Sequence, residues 1–500
     1  MNSFNKLKPY LDKQNALFTA LTLFEWDNAT KAPEKAIDNT SAVMGILSDE
    51  YYNALINDDV TFLLNTLCKE QLSALESSIV KELKNAYDDV RPIPQAEYSA
   101  YKALTAKASS VWQKAKKNND YALFAPVLKE IIDYKKKFAA YKAKDRGYNG
   151  PLYDILLDEY EKGFNTQILD TFFNRLKDTI IPLVRMVSKK SDKIDKHYNE
   201  LHYDIDKQRE VSHRLAKYIG FDFTKGVMLE SAHPFTTNLH NRDVRITTAF
   251  FENNLESAMF STIHEGGHAL YEMHIDDALT MTPVGTGTSM GFHEGQSRLF
   301  ENNIGRSRAF WTPLYPQLQE TFKEQLNDIT LDHFILGINK SQPSLIRTEA
   351  DELTYCLHII IRYEIEKYVI NNDFDIDLLP KLWNDKYEEY LGIRPENDSE
   401  GILQDIHWSC GDFGYFPSYA IGTAIAAQIY AHLKTAINID DCLEKGNFAA
   451  INDYLKEHLH RFGKTKTTNE LLSGMMGENF NPQYYIDYLN EKYTALYSSL

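Results

Sequence analysis

The sequence predicts a mainly α-helical protein, a single large helical domain over residues 1–500 with a small β-sheet beside the helix that carries His264. Three observations carry that expectation. Only 23 glycines and 16 prolines interrupt the 500 residues, too few for a chain built from many short strands and turns. Apolar residues recur at spacings of three and four, as in Leu17, Leu21 and Phe24, or Leu357, Ile360, Ile361 and Ile365, which lines one face of a helix. No Gly-, Ser- or Pro-rich linker, low-complexity segment or long internal repeat divides the chain.

In chain order, the region up to about residue 200 reads as helix and connection. "GVMLES" (226–231) is a candidate strand, and "AHPFTTNLHNR" (232–242) reads as turn-rich. "DVRITTAFF" (243–251) is the clearest strand, because Val244, Ile246 and the β-branched threonines suit a pleated surface. A strand there leads within a few residues into a helix carrying "IHEGGHALYE" (263–272), and "MGFHEGQSRLFENN" (290–303) continues as helix.

A hydrophobic share of 43%, a charged share of 25% and no uncharged apolar run of about 18 residues describe a globular protein in water, not a membrane one. The net charge of -17 argues against nucleic acid as a partner, since binding phosphates requires cationic groups that displace counterions. The segment "MNSFNKLKPYLDKQNALF" lacks the apolar core and cleavage site of a secretory signal. Cys68, Cys356, Cys410 and Cys442 are scattered without CxxC pairing, which suits reduced thiols in a cytoplasm.

His264 and His268 lie one helical turn apart, about 40° apart around the axis, so both imidazoles leave one face and can share a tetrahedral ion. Glu265 falls about 60° beyond His268, off the ligand face but within reach of a water on the ion, which is the mechanical content of HExxH. The pattern arises by chance in roughly a few per cent of chains this long, so a third ligand is needed to give it weight. Glu294, on a segment where Glu294, Ser297, Arg298 and Glu301 share a helix face, supplies it. Three protein ligands and one open position are the requirement of a catalytic zinc site. Two glycines inside the motif, Gly266 and Gly267, cost about 2 kcal/mol of helix propensity relative to alanine, which points to close approach of neighbouring elements.

With these residues in place the chain closely resembles the carboxypeptidase Taq family of zinc metallocarboxypeptidases over nearly its whole length. "FEWDNATKAP" (24–33) is similar to the family's Trp-Asp segment, and "HPF" (233–235), "DVRIT" (243–247), "HEGGH" (264–268), "HEGQ" (293–296), "IRTEAD" (346–351) and "GILQDIHW" (401–408) match its ordered motifs. Ala249 departs from it, standing where members often carry a basic residue. The resemblance implies a cleft-containing helical fold shared with neurolysin-like peptidases, with residues up to about 200 forming one helical part of the cleft and about 201–500 the zinc-binding part. It also implies a homodimer, and removal of single C-terminal residues from peptides with broad specificity.

Roles follow from chemistry and resemblance together. His264, His268 and Glu294 are the expected metal ligands, with Zn2+ the expected ion and Co2+ or Mn2+ as substitutes. Glu265 is the expected proton acceptor and later donor to the leaving amine. "QDIHWSCGDFGYFPSYAIG" (404–422) offers His407, Tyr415 and Tyr419 to face the oxyanion, and resemblance to neurolysin-like enzymes favours a tyrosine without choosing between the two. A terminal carboxylate calls for a guanidinium fork: Arg347 is the first choice, Arg245 the second and Arg394 the third, with His233 of "HPF" a further substrate contact by resemblance. Asp351, Glu301 and Asp405 are candidates to orient the ligand imidazoles. Competing readings are an oligopeptidase or dipeptidyl carboxypeptidase on the same fold, and a helical peptide-binding protein without catalysis.

Overall fold

The computed structural model describes residues 3–498 and residue 500. Helices dominate, and three strands make one small sheet among the described residues. The chain forms two compact units.

The first unit comprises Met1–Asp88 (described from Ser3), Lys196–Ile335 and Ile429–Phe480. Its opening helices, Ser3–Thr30 and Asp58–Leu67, bury Leu7, Leu11, Val60, Leu63, Leu64 and Leu67 in one cluster that also takes Ile275, Leu279 and Val284. Asn57 starts the second of these helices by accepting from the Val60 amide, the usual remedy for an orphan N–H at a helix N-terminus.

Strands β1 (Gly226–Glu230), β2 (Thr236–His240) and β3 (Asp243–Thr248) follow, in spatial order β1-β3-β2. β1 runs parallel to β3 with Gly226 opposite Val244, and β2 runs antiparallel with Thr236 opposite Ile246. β1 and β3 stand where the sequence places them, although β3 stops at Thr248, short of residue 251. β2 corrects the sequence reading, which took 232–242 as turn. A register irregularity between Asn238 and His240 and the polar Thr-Thr-Asn run hide its alternation.

The sheet packs Val244 and Ile246 against Ala269 and Met273 of the helix Leu255–Met273. Asn254 caps that helix by accepting from the Ser257 amide, and Glu256 places a negative charge at the positive end of the helix dipole. The helix Met290–Arg298 passes without a break into a π-helical turn, Leu299–Ile304.

The second unit comprises Asp89–Asp195, Leu336–Gln428 and Asn481–Leu500. Helices Gln95–Asn118 and Tyr121–Arg146 pair along their length, and left-handed Asn119 (φ 53°) turns the chain between them. The helix Tyr355–Asn371 is buried on nearly every face, so its sequence shows little amphipathic contrast. No helix among the described residues is long and apolar enough to cross a membrane, and none of the four cysteines is in a disulfide.

Candidate metal centre

His264, His268 and Glu294 offer ligand atoms that all lie within 4.8 Å of one another. The helix Leu255–Met273 presents both imidazoles from one face, and Met290–Arg298 brings Glu294 across to them. Glu294 Oε2 stands 3.7 Å from His264 Nε2 and 3.5 Å from His268 Nε2. A tetrahedral ion held at about 2.0–2.1 Å places its donors about 3.3 Å apart, so the three residues fit one.

The glycines explain how the two helices come so close. A Cβ on Gly267 would stand 2.8 Å from both the Gln296 carbonyl oxygen and Ser297 Cα, and one on Gly266 would meet Ile219 Cδ1 at 2.4 Å. Backbone meets backbone at Gly267, which sets the reach of Glu294 towards the histidines.

Each candidate ligand has its own support. Arg298 Nε donates to Glu294 Oε1 at 2.7 Å, fixing one carboxylate oxygen while Oε2 faces the imidazoles. Burial opposes ionisation of Glu294, but the Arg298 guanidinium and His264 outweigh it and hold the carboxyl well below the usual range. Glu301 Oε2 lies 2.8 Å from His264 Nδ1 and accepts from Arg298 Nη1 at 3.1 Å, and despite burial these partners bring Glu301 down to about 2. Burial takes His268 down to about 4, which keeps an imidazole neutral and able to ligate.

Glu265 is held apart from the three candidate ligands by β2, the strand the sequence does not announce. Thr236 of β2 donates through Oγ1 to Glu265 Oε2 at 2.6 Å. Burial raises the Glu265 carboxyl above its ordinary value.

Arg245 of β3 pairs with Asp243 through Nε and Nη2, both at 2.8 Å, with its guanidinium carbon 5.6 Å from the centre of the Trp26 ring. The "WD" and "DVRIT" motifs therefore meet. His233 is exposed on the turn before β2.

In the second unit the "IRTEAD" and "GILQDIHW" motifs converge. Arg347 Nε donates to Asp405 Oδ1 at 2.9 Å and Nη1 to Tyr355 Oη at 3.2 Å. The fully buried Arg362 donates to Asp405 Oδ2 at 2.6 Å and to Gln404 Oε1 at 2.7 Å. Two guanidiniums share the Asp405 carboxylate and, against the cost of its burial, hold it well below the usual range. His407 Nε2 lies 3.3 Å from Tyr419 Oη, and burial lowers His407 to about 4. Tyr415 packs edge-on to Tyr419, with ring centroids 5.2 Å apart. Arg394 is exposed and spent on Asp385 and Glu388.

Of the three candidate imidazole-orienting acceptors, Glu301 alone touches a candidate ligand, His264. Asp405 serves the two arginines. Asp351 accepts from Ser341 Oγ and from the Gln342, Leu353 and Thr354 amides, tying the chain before the helix Tyr355–Asn371. The sequence reading missed Arg298 as the clamp on Glu294, Thr236 as the partner of Glu265, and the contacts of His293 and Glu272 around His268. A signal for Glu272 was present, since His264, His268 and Glu272 recur every four residues along one stripe.

An HExxH helix, a glutamate on the next helix placed to join its histidines on one ion, and a small sheet holding the motif's own glutamate, within a mainly helical frame, define a metallopeptidase. Comparison with known proteins carries this further. The chain belongs to the carboxypeptidase Taq (M32) metallopeptidase family, whose model matches residues 6–493. It is 44% identical to carboxypeptidase 1 of Bacillus subtilis (strain 168) over 481 residues, covering 96% of this chain and 95% of that one. It is 36% identical to thermostable carboxypeptidase 1 of Pyrococcus furiosus, covering 96% of each. The crystal structure of an M32 carboxypeptidase from Deinococcus radiodurans R1 superposes with a TM-score of 0.95 over the full length of both chains, at 30% identity. The protein is thus a metallocarboxypeptidase, and its family implies a divalent metal.

Proposed function

We propose that this metallocarboxypeptidase uses zinc to remove single residues from the free C-termini of peptides with broad specificity, and that His264, His268 and Glu294 hold the ion. The observation that carries the reading is the convergence of three ligand atoms within 4.8 Å, with Glu265 tethered beside them by Thr236. Bound there, zinc supplies a Lewis acid that polarises the scissile carbonyl and acidifies water. Two imidazoles and one carboxylate suit zinc and also accept Co2+ or Mn2+.

Glu265 takes the proton of the attacking water and returns it to the departing amine, a role that its raised affinity for a proton supports. His407, Tyr415 and Tyr419 supply donors for the oxyanion of the tetrahedral intermediate, Tyr419 being oriented by His407. Arg347 receives the substrate's terminal carboxylate. Support for this comes from charge: Arg347 and Arg362 share the Asp405 carboxylate, which leaves the cluster with an excess positive charge. Arg245 and His233 make further substrate contacts. A homodimer rests on the family resemblance, and cytoplasmic residence on four cysteines scattered without CxxC pairing.

The test is mass spectrometry of a mixed peptide digest incubated with metal-loaded and with chelated protein. A ladder of single C-terminal losses that chelator abolishes is the expected result. Release of dipeptides, internal cuts, or equal cleavage of amidated peptides would replace this reading with an oligopeptidase.

A further inference from the structure

The two ligand imidazoles are backed differently. His264 Nδ1 meets the Glu301 carboxylate directly at 2.8 Å, whereas His268 Nδ1 faces another imidazole nitrogen, His293 Nδ1, at 2.7 Å. His293 Nε2 in turn lies 2.8 Å from Glu272 Oε1. We propose that His293 and Glu272 form a relay that fixes the proton and the pose of His268, so that both are positioning residues for the metal although neither is a ligand.

The proton assignment has one solution. Two nitrogens 2.7 Å apart need one donor and one acceptor. His268 must keep its Nε2 lone pair for the ion, so its proton sits on Nδ1 and is donated to His293. His293 therefore accepts at Nδ1, carries its own proton on Nε2 and donates it to Glu272. An imidazole thus stands between the ligand and the carboxylate that backs it.

The surroundings hold that arrangement in place. Glu272 accepts at Oε1 from Thr286 Oγ1 at 2.8 Å and from the Gly287 amide at 3.0 Å, and at Oε2 from Asn238 Nδ2 at 2.8 Å. With His293 these make four donors to a carboxylate whose side chain is 2% exposed. Gly287 leaves the seat for the ring, since a Cβ there would stand 2.6 Å from His293 Cδ2, and Tyr271 packs against the ring at a centroid distance of 5.1 Å. Asn238 belongs to β2, so the strand that orients Glu265 through Thr236 also anchors the far end of the relay.

The inference rests on the metal-centre reading and is tested by zinc affinity, measured by competition with a chromophoric chelator, together with melting of the chelated protein. His293→Phe and Glu272→Gln are each expected to weaken zinc binding by about 10- to 100-fold, the range for partners behind a ligand, while the metal-free protein melts as wild type does. In the His293→Phe background the Glu272→Gln change is expected to cost nothing further, because the carboxylate acts only through His293. Unchanged affinity in Glu272→Gln overturns the relay, as do additive losses in the double variant. If His293→Phe does not fold, Glu272→Gln decides alone. His264→Ala separates the two readings: retention of zinc by that variant overturns the metal centre itself, whereas loss of zinc there with unchanged affinity in Glu272→Gln overturns the relay alone.

Discussion

Gly267 and Gln296 meet at backbone distance: a Cβ on the glycine would stand 2.8 Å from the Gln296 carbonyl oxygen. Alanine at Gly267 gains about 1 kcal/mol of helix propensity, but overpacking against a backbone that cannot rotate away costs about 1–3 kcal/mol. Gly267→Ala is therefore expected to lower the melting temperature, and to lower metal content because the displaced helix carries Glu294. Gly266→Ala is expected to be milder, since its Cβ meets only the Cδ1 end of the Ile219 side chain. Thermal melts and metal analysis of both variants check this, and a Gly267→Ala protein that melts above wild type would show that the helices have room to part.

Glu265 and Glu294 are both buried carboxylates at one site, yet the structure pushes them in opposite directions. Glu265 is raised by burial, while Arg298 and His264 overcome the same burial for Glu294 and hold it ionised. Glu265→Gln is expected to keep near-stoichiometric zinc and lose turnover by a factor on the order of 10^2 to 10^4, the usual contribution of a positioned base. Glu294→Ala is expected to lose zinc first, with activity following. Metal content and kcat measured together separate the two roles, and loss of zinc from Glu265→Gln would make it a ligand.

What the sequence made legible follows the range of each interaction. His264, Glu265 and His268 are set by helical spacing, and Glu294 sits on a helix whose polar face shows in its own residues, so short-range pattern sufficed. Thr236 and Asn238 were unreadable, because their roles need β2 paired to β3, and the register irregularity at Asn238 breaks the alternation that announces a strand. Arg347 and Asp405 stand 58 positions apart in the chain, and nothing local tells that the "IRTEAD" arginine and the "QDIHW" aspartate meet. The same blindness made Asp351, which accepts from Ser341 and from the Gln342, Leu353 and Thr354 amides, look as available as Glu301.

Glu366 is fully buried and accepts from Tyr153 Oη at 2.7 Å, Trp408 Nε1 at 2.8 Å and the Gly414 amide at 2.9 Å. Burial pushes its carboxyl up to about 7, the three donors offsetting only part of that cost. A folded-state value above the unfolded one means the folded protein holds the proton more tightly. The stabilising contribution is then complete below about pH 4.5 and is lost as pH rises through about 7. Denaturant unfolding from pH 5 to 8 is expected to show wild type losing stability relative to Glu366→Gln across about pH 5 to 7, then levelling off. A difference that stays flat over that range would show that Glu366 is ionised throughout.

On the proposed function, Arg347 is expected to carry the distinction between an exopeptidase and an endopeptidase. Its guanidinium is anchored by Asp405 and Tyr355 and stacks near Tyr419, with 5.2 Å from its carbon to the ring centre, so it is held in one pose before any substrate arrives. Removing one partner of a desolvated ion pair costs on the order of 2 to 5 kcal/mol. Arg347→Ala is therefore expected to cut kcat/KM for peptides with a free C-terminus by roughly 30-fold or more, and to leave the low activity on amidated peptides nearly unchanged. The fold should tolerate the change, because Arg362 still pairs with Asp405 at 2.6 Å. Arg347→Lys is expected to restore only part of the activity, since an ammonium keeps the charge but cannot hold Asp405 and a second carboxylate as a planar fork does. Equal losses on free and amidated peptides would make Arg347 a support for Tyr419 and Asp405, and would transfer the carboxylate-binding role to Arg245.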